Sequence, residues 1–252
     1  VKYQLELDPN LYGPIYEKNG QTLEDYRNKK GVNWQDAIFR NAYVQNHSLS
    51  LRGGTEQTRY AISGSIMDQQ GIIINSGFRR YQGRFVIDQT VNKRLKVGLN
   101  MNYAATKRFG TVVAESQTSP TASLMYSAWG FRPISGDIDS YDNLMEELYD
   151  PDLSPTADYR INPVKAAQNE YKPTFNNTMT LNSYAEYKIS NNLSLRVTGG
   201  LTKSDILQEV FNNSSSRLGN PNNNNKVNGS ITNTEITNLL NENTLTYNAR
   251  LK

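Results

Sequence analysis

The chain has 252 residues, of which 37% are hydrophobic and 20% are charged, and its formal net charge is +3. No run approaches the roughly 18 apolar residues that a membrane-spanning helix needs, which excludes helical membrane spans. The small positive charge is spread along the chain without a basic block, which argues against nucleic-acid binding, and the absence of cysteine excludes disulfides and thiolate metal sites.

Residues 1–44 are the least regular part of the sequence, with several Pro and Gly residues that break secondary structure. We predict an irregular segment, a loop of the larger fold, that contains one short helix near Asn33–Arg40. Asn33 is suited to the N-cap of this helix. Trp34, Ile38 and Phe39 fall on one side of it, and we interpret that side as a packed, buried face.

Apolar and polar residues alternate from about residue 45 onward. The alternation is clearest from Leu95 to Ala104, where five apolar or aromatic side chains alternate with Lys, Gly, Asn and Ala. A two-residue period is typical of a β-strand that has two different faces. The pattern predicts seven strands, at about residues 45–53, 58–67, 78–91, 95–108, 175–189, 193–206 and 230–251.

The connections between these strands alternate between very short turns and long polar loops, which predicts a meander of antiparallel hairpins. The loop 109–174 contains six prolines and is far longer than ordinary connections, and the loop 212–229 is rich in Asn. In bacterial outer-membrane barrels the long loops are extracellular and the short turns periplasmic. Because the last strand stops at Lys252 without a closing turn, we expect an internal segment of a longer protein.

The two faces of the predicted strands differ in a way that favours a membrane barrel. Strands of twelve or more residues exceed the usual five or six of soluble proteins and suit a tilted crossing of a bilayer. The predicted lipid-facing residues are Leu95, Val97, Leu99, Met101, Leu181, Leu193, Leu195 and Val197. The predicted lumen-facing residues are Arg59, Arg84, Lys96, Asn100, Glu186, Arg196 and Arg250.

The fold class predicted is therefore all-β, an antiparallel meander that forms part of a large transmembrane β-barrel over residues 45–252. Seven strands do not close into a barrel wide enough for charged side chains and water, so further strands must come from elsewhere. A soluble β-sandwich that acts as a carbohydrate-binding or adhesin module stays open as the alternative. It would show the same alternation, because the apolar faces of two sheets would meet.

An ordered series of short motifs resembles the SusC/RagA family of TonB-linked outer-membrane transporters. The series covers most of the chain from Asn33 onward, and its members are specific only together. They are NWQDAIFR at 33–40, QNHSLSLRGG at 45–54, TRY at 58–60, DQQGI at 68–72, SGFRRY at 76–81, NPV at 162–164 and ENTLTYN at 242–248.

The resemblance implies a barrel in the bacterial outer membrane, in contact with outer-membrane lipid and closed by an N-terminal plug. It also implies a SusD-like surface lipoprotein as partner and the import of an oligosaccharide or peptide substrate, with energy supplied by TonB. No TonB box or plug is found in this sequence, so TonB would act through a region absent from this chain. The segment itself would supply barrel wall and outer loops.

Aromatic residues in the long loop are the candidate contacts for a substrate or a partner. Aromatic rings stack on sugars and are enriched at protein interfaces, but they also form the small cores of folded loops, and the sequence does not separate these uses. The candidates are the aromatic residues Tyr126, Trp129, Phe131 and Tyr141, together with the neighbouring Arg132.

The sequence predicts no enzyme, no cofactor and no metal site. His47 is the single histidine, which argues against a Ser-His-Asp triad or a multi-histidine site. The acidic residues between Asp137 and Glu147 do not fit the EF-hand template, because Asp142 stands where Gly is required. We interpret them as solvated loop residues.

Overall fold

The computed structural model describes residues 1–111, 123–135, 141–149, 161–216, 218–219 and 226–249. Its main feature is a single antiparallel sheet in which the seven strands follow one another in chain order. Each strand pairs only with its neighbours in the sequence, as the predicted meander requires. The strands are β1 (Val44–Gly54), β2 (Thr58–Gln70), β3 (Gly77–Thr90), β4 (Leu95–Phe109), β5 (Thr174–Lys188), β6 (Leu193–Asn212) and β7 (Asn228–Tyr247).

The observed strand bounds confirm the predicted number, order and connections. The largest difference is in β6, which continues to Asn212 and pairs with Asn228 of β7. Alternation is lost in this outer part of β6, because residues 206–211 read Ile-Leu-Gln-Glu-Val-Phe and place apolar and polar side chains on both faces. The residue pattern therefore gives no sign of the length of the strand. The backbone hydrogen bonds of the ladder do not depend on that pattern.

The short helix predicted near residue 33 is present as α3 (Trp34–Ile38). The Asn33 side chain accepts a hydrogen bond from the Asp36 backbone N–H, as expected of an N-cap. Ahead of it, residues that we predicted to be irregular form two further short helices, α1 (Lys2–Leu7) and α2 (Pro9–Tyr16). Pro9 occupies the first turn of α2, where proline is well tolerated, whereas Pro14 lies inside the helix and lacks the N–H of one helical hydrogen bond.

The long insertion between β4 and β5 also contains short helices. They are α4 (Leu124–Gly130), α5 (Tyr141–Glu146) and α6 (Pro163–Asn169). No helix in the described part of the chain is both long and apolar enough to span a membrane.

The hydrophobic core lies beside the sheet and not on it. The buried hydrophobic residues of the described chain all lie outside the seven strands, in the helices and loops. Large apolar side chains of the strands are instead exposed, including Leu49 and Leu239, each 81% accessible. Within the described residues no second sheet covers the apolar face, so the packing expected of a β-sandwich is not found.

Candidate functional site: a two-faced wall and the loop assembly at its rim

The strand register places most of the large apolar side chains of the seven strands on one face of the sheet. Residues paired across neighbouring strands share a face, and one such row is apolar throughout. This row consists of Leu51, Ile62, Phe85, Met101, Leu181, Leu201 and Leu239. The eight residues predicted to face lipid all lie on this side, which we call the apolar face.

The apolar residues of this face form a band that runs obliquely across the strands. On β2 the band extends from Tyr60 to Ile66, whereas on β6 it extends from Leu193 to Leu201. Following the pairing from Ile66 across the sheet leads to the charged Asp205 on β6. Relative to the paired residues, the centre of the band is therefore displaced by about five residues between β2 and β6, which are four strands apart.

This displacement has the size that barrel geometry requires. Strands about 4.8 Å apart, with a rise of about 3.3 Å per residue, must shift by roughly 1.0 to 1.5 residues per strand when they tilt by about 35 to 45°. A band that is level with respect to a bilayer would then be oblique with respect to the strands, as observed.

The opposite face, which we call the polar face, carries hydrogen-bonded and ion-paired side chains. Gln82 Nε2 donates to Asn102 Oδ1 at 3.0 Å, and Arg84 Nε donates to Asn100 Oδ1 at 3.3 Å. All the residues predicted to face a lumen lie on this face where the structure describes them. Arg250 lies outside the described residues.

A polar cluster near the short-turn end links four strands of this face. The Tyr184 hydroxyl donates to Asp88 Oδ1 at 2.8 Å, and the Arg196 guanidinium lies 3.9 Å from the centre of the Tyr184 ring. Arg196 Nη1 also lies 3.7 Å from Glu186 Oε2. The Tyr184 side chain reaches β3 by crossing β4 at Gly98, where a Cβ atom would overlap the ring. In the sequence, Gly98 is simply one of the residues on the polar side of an alternating strand. Nothing in that pattern indicates the contact with Tyr184.

The opposite end of the sheet carries a compact group of helices and loops, which we call the loop assembly. It brings together α3, the β2–β3 loop and helices from the long insertion around one buried cluster. Trp34 packs edge-on against Phe131, with ring centres 5.1 Å apart, and its Nε1 donates to the Arg132 carbonyl at 3.0 Å. Asn75 of the β2–β3 loop donates to the carbonyl of Ala167 in α6 at 3.1 Å.

The five loop candidates divide into buried and exposed residues. Phe131 and Arg132 are each only 3% accessible and belong to the interior of the loop assembly. Trp129 is 72% accessible and Tyr126 is 39% accessible, and both lie on the outer side of α4. The Trp129 Nε1 donates to Gln35 Oε1 at 3.1 Å, which fixes the exposed ring. Tyr141 is the first residue of α5, and its side chain is outside the described part.

Of the acidic loop residues, Asp137, Asp139 and the side chain of Asp142 fall outside the described part of the chain. Among the residues that are described, no group of three or more His, Asp or Glu side chains is arranged to hold a metal ion.

An open cavity of about 490 Å³ lies where the polar face meets the loop assembly. Its wall is mixed, with Arg108 and Glu209 lying beside the apolar Phe78 and Val210. The Tyr171 hydroxyl donates to Glu209 Oε2 at 2.8 Å, and this hydrogen bond to a carboxylate raises the pKa of Tyr171. The contact holds the segment before β5 against β6.

No family model matches the chain. TonB-dependent receptor P3 of Formosa agariphila is 28% identical over 225 residues, which cover 86% of this chain and 21% of that protein. TonB-dependent receptor P26 of the same organism is 25% identical over 183 residues, which cover 73% of this chain and 17% of that protein. TonB-dependent receptor SusC of Bacteroides thetaiotaomicron is 41% identical over 50 residues, 20% of this chain and 5% of that protein.

Two solved structures share the fold. The RagAB peptide importer in its closed-closed state superposes with a TM-score of 0.66 at 18% identity, over 98% of this chain and 27% of that chain. A structure of the RagAB peptide transporter gives a TM-score of 0.57 at 20% identity, over 82% of this chain and 23% of that chain.

The chain spans about a fifth of the length of the curated receptors that it matches over most of its own length. The fold of the RagAB structures matches the antiparallel meander described above. By sequence the chain is similar to a segment of TonB-dependent receptors, and by fold it is similar to part of the RagAB structures.

Proposed function

We propose that this chain forms part of the wall and outer rim of a TonB-dependent importer, with its apolar face in the outer membrane and its polar face toward a water-filled lumen. The oblique apolar band carries this proposal. It is uncovered by any other described part of the chain, and its slope equals the slope expected of strands tilted in a bilayer.

The short turns would then lie on the periplasmic side and the loop assembly on the cell surface. In this orientation the polar face presents Arg59, Arg84, Lys96, Glu186 and Arg196 to water, which avoids the cost of charged groups in hydrocarbon. TonB would act through parts of the receptor that this chain does not contain.

The exposed aromatic pair on α4, Tyr126 and Trp129, is the proposed contact with the imported molecule or with a SusD-like lipoprotein. An exposed, orientation-fixed Trp is suited to stacking on a sugar or to anchoring a protein interface. Oligosaccharides and peptides are the proposed cargo, peptides being the cargo named for the RagAB structures.

Site-directed spin labelling of the full-length receptor in liposomes tests the orientation of the wall. Labels at Leu99 and Val197 should be accessible to oxygen dissolved in lipid, and labels at Asn100 and Thr198 to a water-soluble nickel complex. These are neighbouring or nearby positions on opposite faces, so each serves as a control for the other. Equal access of the aqueous reagent to both faces would reject the membrane wall and favour a soluble module.

The aromatic contact is tested by co-purification of the full-length receptor with a SusD-like lipoprotein expressed together with it. Trp129→Ala should reduce recovery of the lipoprotein, or uptake of cargo, without changing receptor yield. Leu11→Ala, another exposed apolar residue on a short helix, is the control. Unchanged recovery and uptake with Trp129→Ala would remove α4 from the proposed contact surface.

A further inference from the structure

We propose that Arg79 and Lys107 bind the phosphate of a membrane lipid whose acyl chain lies in a groove over Gly64 and Gly83. The inference rests on the proposed function, because it needs the apolar face to be in contact with the bilayer. It adds a defined lipid site to that face.

Arg79 and Lys107 are directly paired across β3 and β4, on the apolar face. Like charges at directly opposed positions destabilise a sheet unless an anion lies between them. Arg79 Nε has one carboxylate nearby, Asp68 Oδ2 at 3.6 Å, and the Arg79 side chain is half exposed. No carboxylate of the described residues lies within ion-pairing distance of Lys107. The pair therefore keeps a surplus positive charge.

Aromatic rings hold these two cations at the surface of the sheet. The Lys107 ammonium lies 5.6 Å from the centre of the Phe109 ring and 5.2 Å from that of Phe175. The Arg79 guanidinium lies 5.9 Å from the Phe109 ring. Cations and aromatic rings together are typical of the level where hydrocarbon meets lipid headgroups.

The groove lies within the apolar band, next to this cationic pair. Gly64 and Gly83 are paired across β2 and β3, and a Cβ atom at Gly83 would meet nothing within 4 Å. The absence of two side chains leaves a cavity of about 470 Å³, with Leu49, Tyr81 and Tyr103 in its walls.

The spacing between the cations and the groove suits a single lipid molecule. Gly83 follows Arg79 by four residues on β3, so the two residues lie on the same face. At about 3.3 Å per residue, the two sites are about 13 Å apart. The cations lie toward the loop end of the strands and the groove toward the middle of the band, the order of headgroup and acyl chain in an outer leaflet. A free phosphate ion would use only the cations and leave the groove empty.

Lipid titration of the detergent-purified, delipidated full-length receptor tests the site. The probes are dioctanoyl phosphatidic acid, dioctanoyl phosphatidylcholine and inorganic phosphate, with bound molecules counted by native mass spectrometry. Phosphatidic acid should bind more tightly than the other two. The double substitution Arg79→Gln and Lys107→Gln should weaken its binding about tenfold or more, the size expected for lost charge-assisted hydrogen bonds.

Two further variants separate the headgroup from the chain. Gly83→Leu fills the groove without changing charge, and should weaken binding of phosphatidic acid while leaving the receptor folded. Lys203→Gln is the matched control on the same face, because Lys203 already lies 3.7 Å from Asp205 and 3.8 Å from Glu235. It should leave lipid binding unchanged.

Equal affinity of the wild type and the double variant for phosphatidic acid would overturn the lipid site. Equally tight binding of inorganic phosphate would also overturn it, in favour of a simple anion site. Either result leaves the proposed function standing if a spin label at Leu99 still reports lipid. If that label is accessible to water instead, the proposal that the apolar face lies in the membrane is itself rejected. The failure of the lipid site and the failure of the proposed function can therefore be told apart.

Discussion

One buried amide joins two helices of the loop assembly. Asn162 is fully buried, and its Nδ2 donates to carbonyl groups at the end of α5, including that of Leu144 at 3.0 Å. Its Oδ1 accepts from the backbone N–H of Val164, in the first turn of α6, at 3.0 Å. A single side chain thus satisfies polar groups at the C-terminus of one helix and the N-terminus of the next.

We expect Asn162→Ala to destabilise the loop assembly by about 2 kcal/mol or more, because it leaves buried carbonyl and N–H groups without partners. Hydrogen exchange of the full-length receptor should show faster exchange in residues 141–149 and 161–169, with no change in the strands. Asn10→Ala, at an exposed position of α2, is the control and should change neither. Unchanged exchange in both helices would contradict the role given to Asn162.

Gly98 is required for the contact between Tyr184 and Asp88. A Cβ atom there would overlap the Tyr184 ring and lie 2.6 Å from Asp88 Oδ1. We expect Gly98→Ala to destabilise the barrel by about 1 to 3 kcal/mol, the usual cost of overpacking. Gly83→Ala is the matched control, since it fills open space and should be neutral or slightly stabilising. Urea unfolding of the receptor in liposomes compares the two variants, and equal midpoints would reject the steric argument.

The strands are the part of the structure that sequence predicts best. Each strand lies between two different environments, so every residue is constrained to one side and the two-residue period extends over the whole element. Prediction weakens at the outer ends of β6 and β7, where apolar and polar residues no longer alternate. There, neither face selects a residue type.

Adjacent residues on one strand should therefore respond very differently to the same charge. Val197 lies near the centre of the apolar band on β6, and Thr198 faces the polar side, paired with Glu242. We expect Val197→Arg to cost about 2 to 4 kcal/mol, as for Arg near the middle of a bilayer, and Thr198→Arg to have little effect. Folding titrations into liposomes provide the measurement. Similar costs at the two positions would reverse the assignment of the faces.

The molecule combines two modes of stabilisation. The sheet is held by backbone pairing and leaves its apolar face uncovered, whereas the loop assembly has a buried core like that of a small soluble protein. That core was not predictable in detail, because it joins residues far apart in sequence, such as Trp34 and Phe131. The predicted burial of Trp34 was confirmed, but a local pattern could not identify its partner. The same limit left Trp129 and Phe131 indistinguishable, although the structure exposes one and buries the other.

We expect Trp34→Ala to loosen the loop assembly by about 3 to 5 kcal/mol, the usual cost of removing a buried Trp side chain. Limited proteolysis of the full-length receptor should then cut within residues 123–135 while the strands stay protected. Trp129→Ala is the matched control, because this Trp is exposed and makes little buried contact. Equal resistance of the wild type and Trp34→Ala would show that Trp34 does not hold the loop assembly together.

The length of the β6–β7 hairpin makes the rim uneven. Its pairing continues to Asn212 and Asn228, whereas β5 already begins at Thr174, opposite Gln208. In the proposed orientation this hairpin extends about 28 Å beyond Leu201, the outer end of the apolar band on β6, given about 3.3 Å per residue and a tilt near 40°. It would be exposed on the cell surface beside the end of α6, to which Asn213 donates a hydrogen bond at Asn169 Oδ1. An epitope inserted after Ser214 should accordingly be detectable on intact cells.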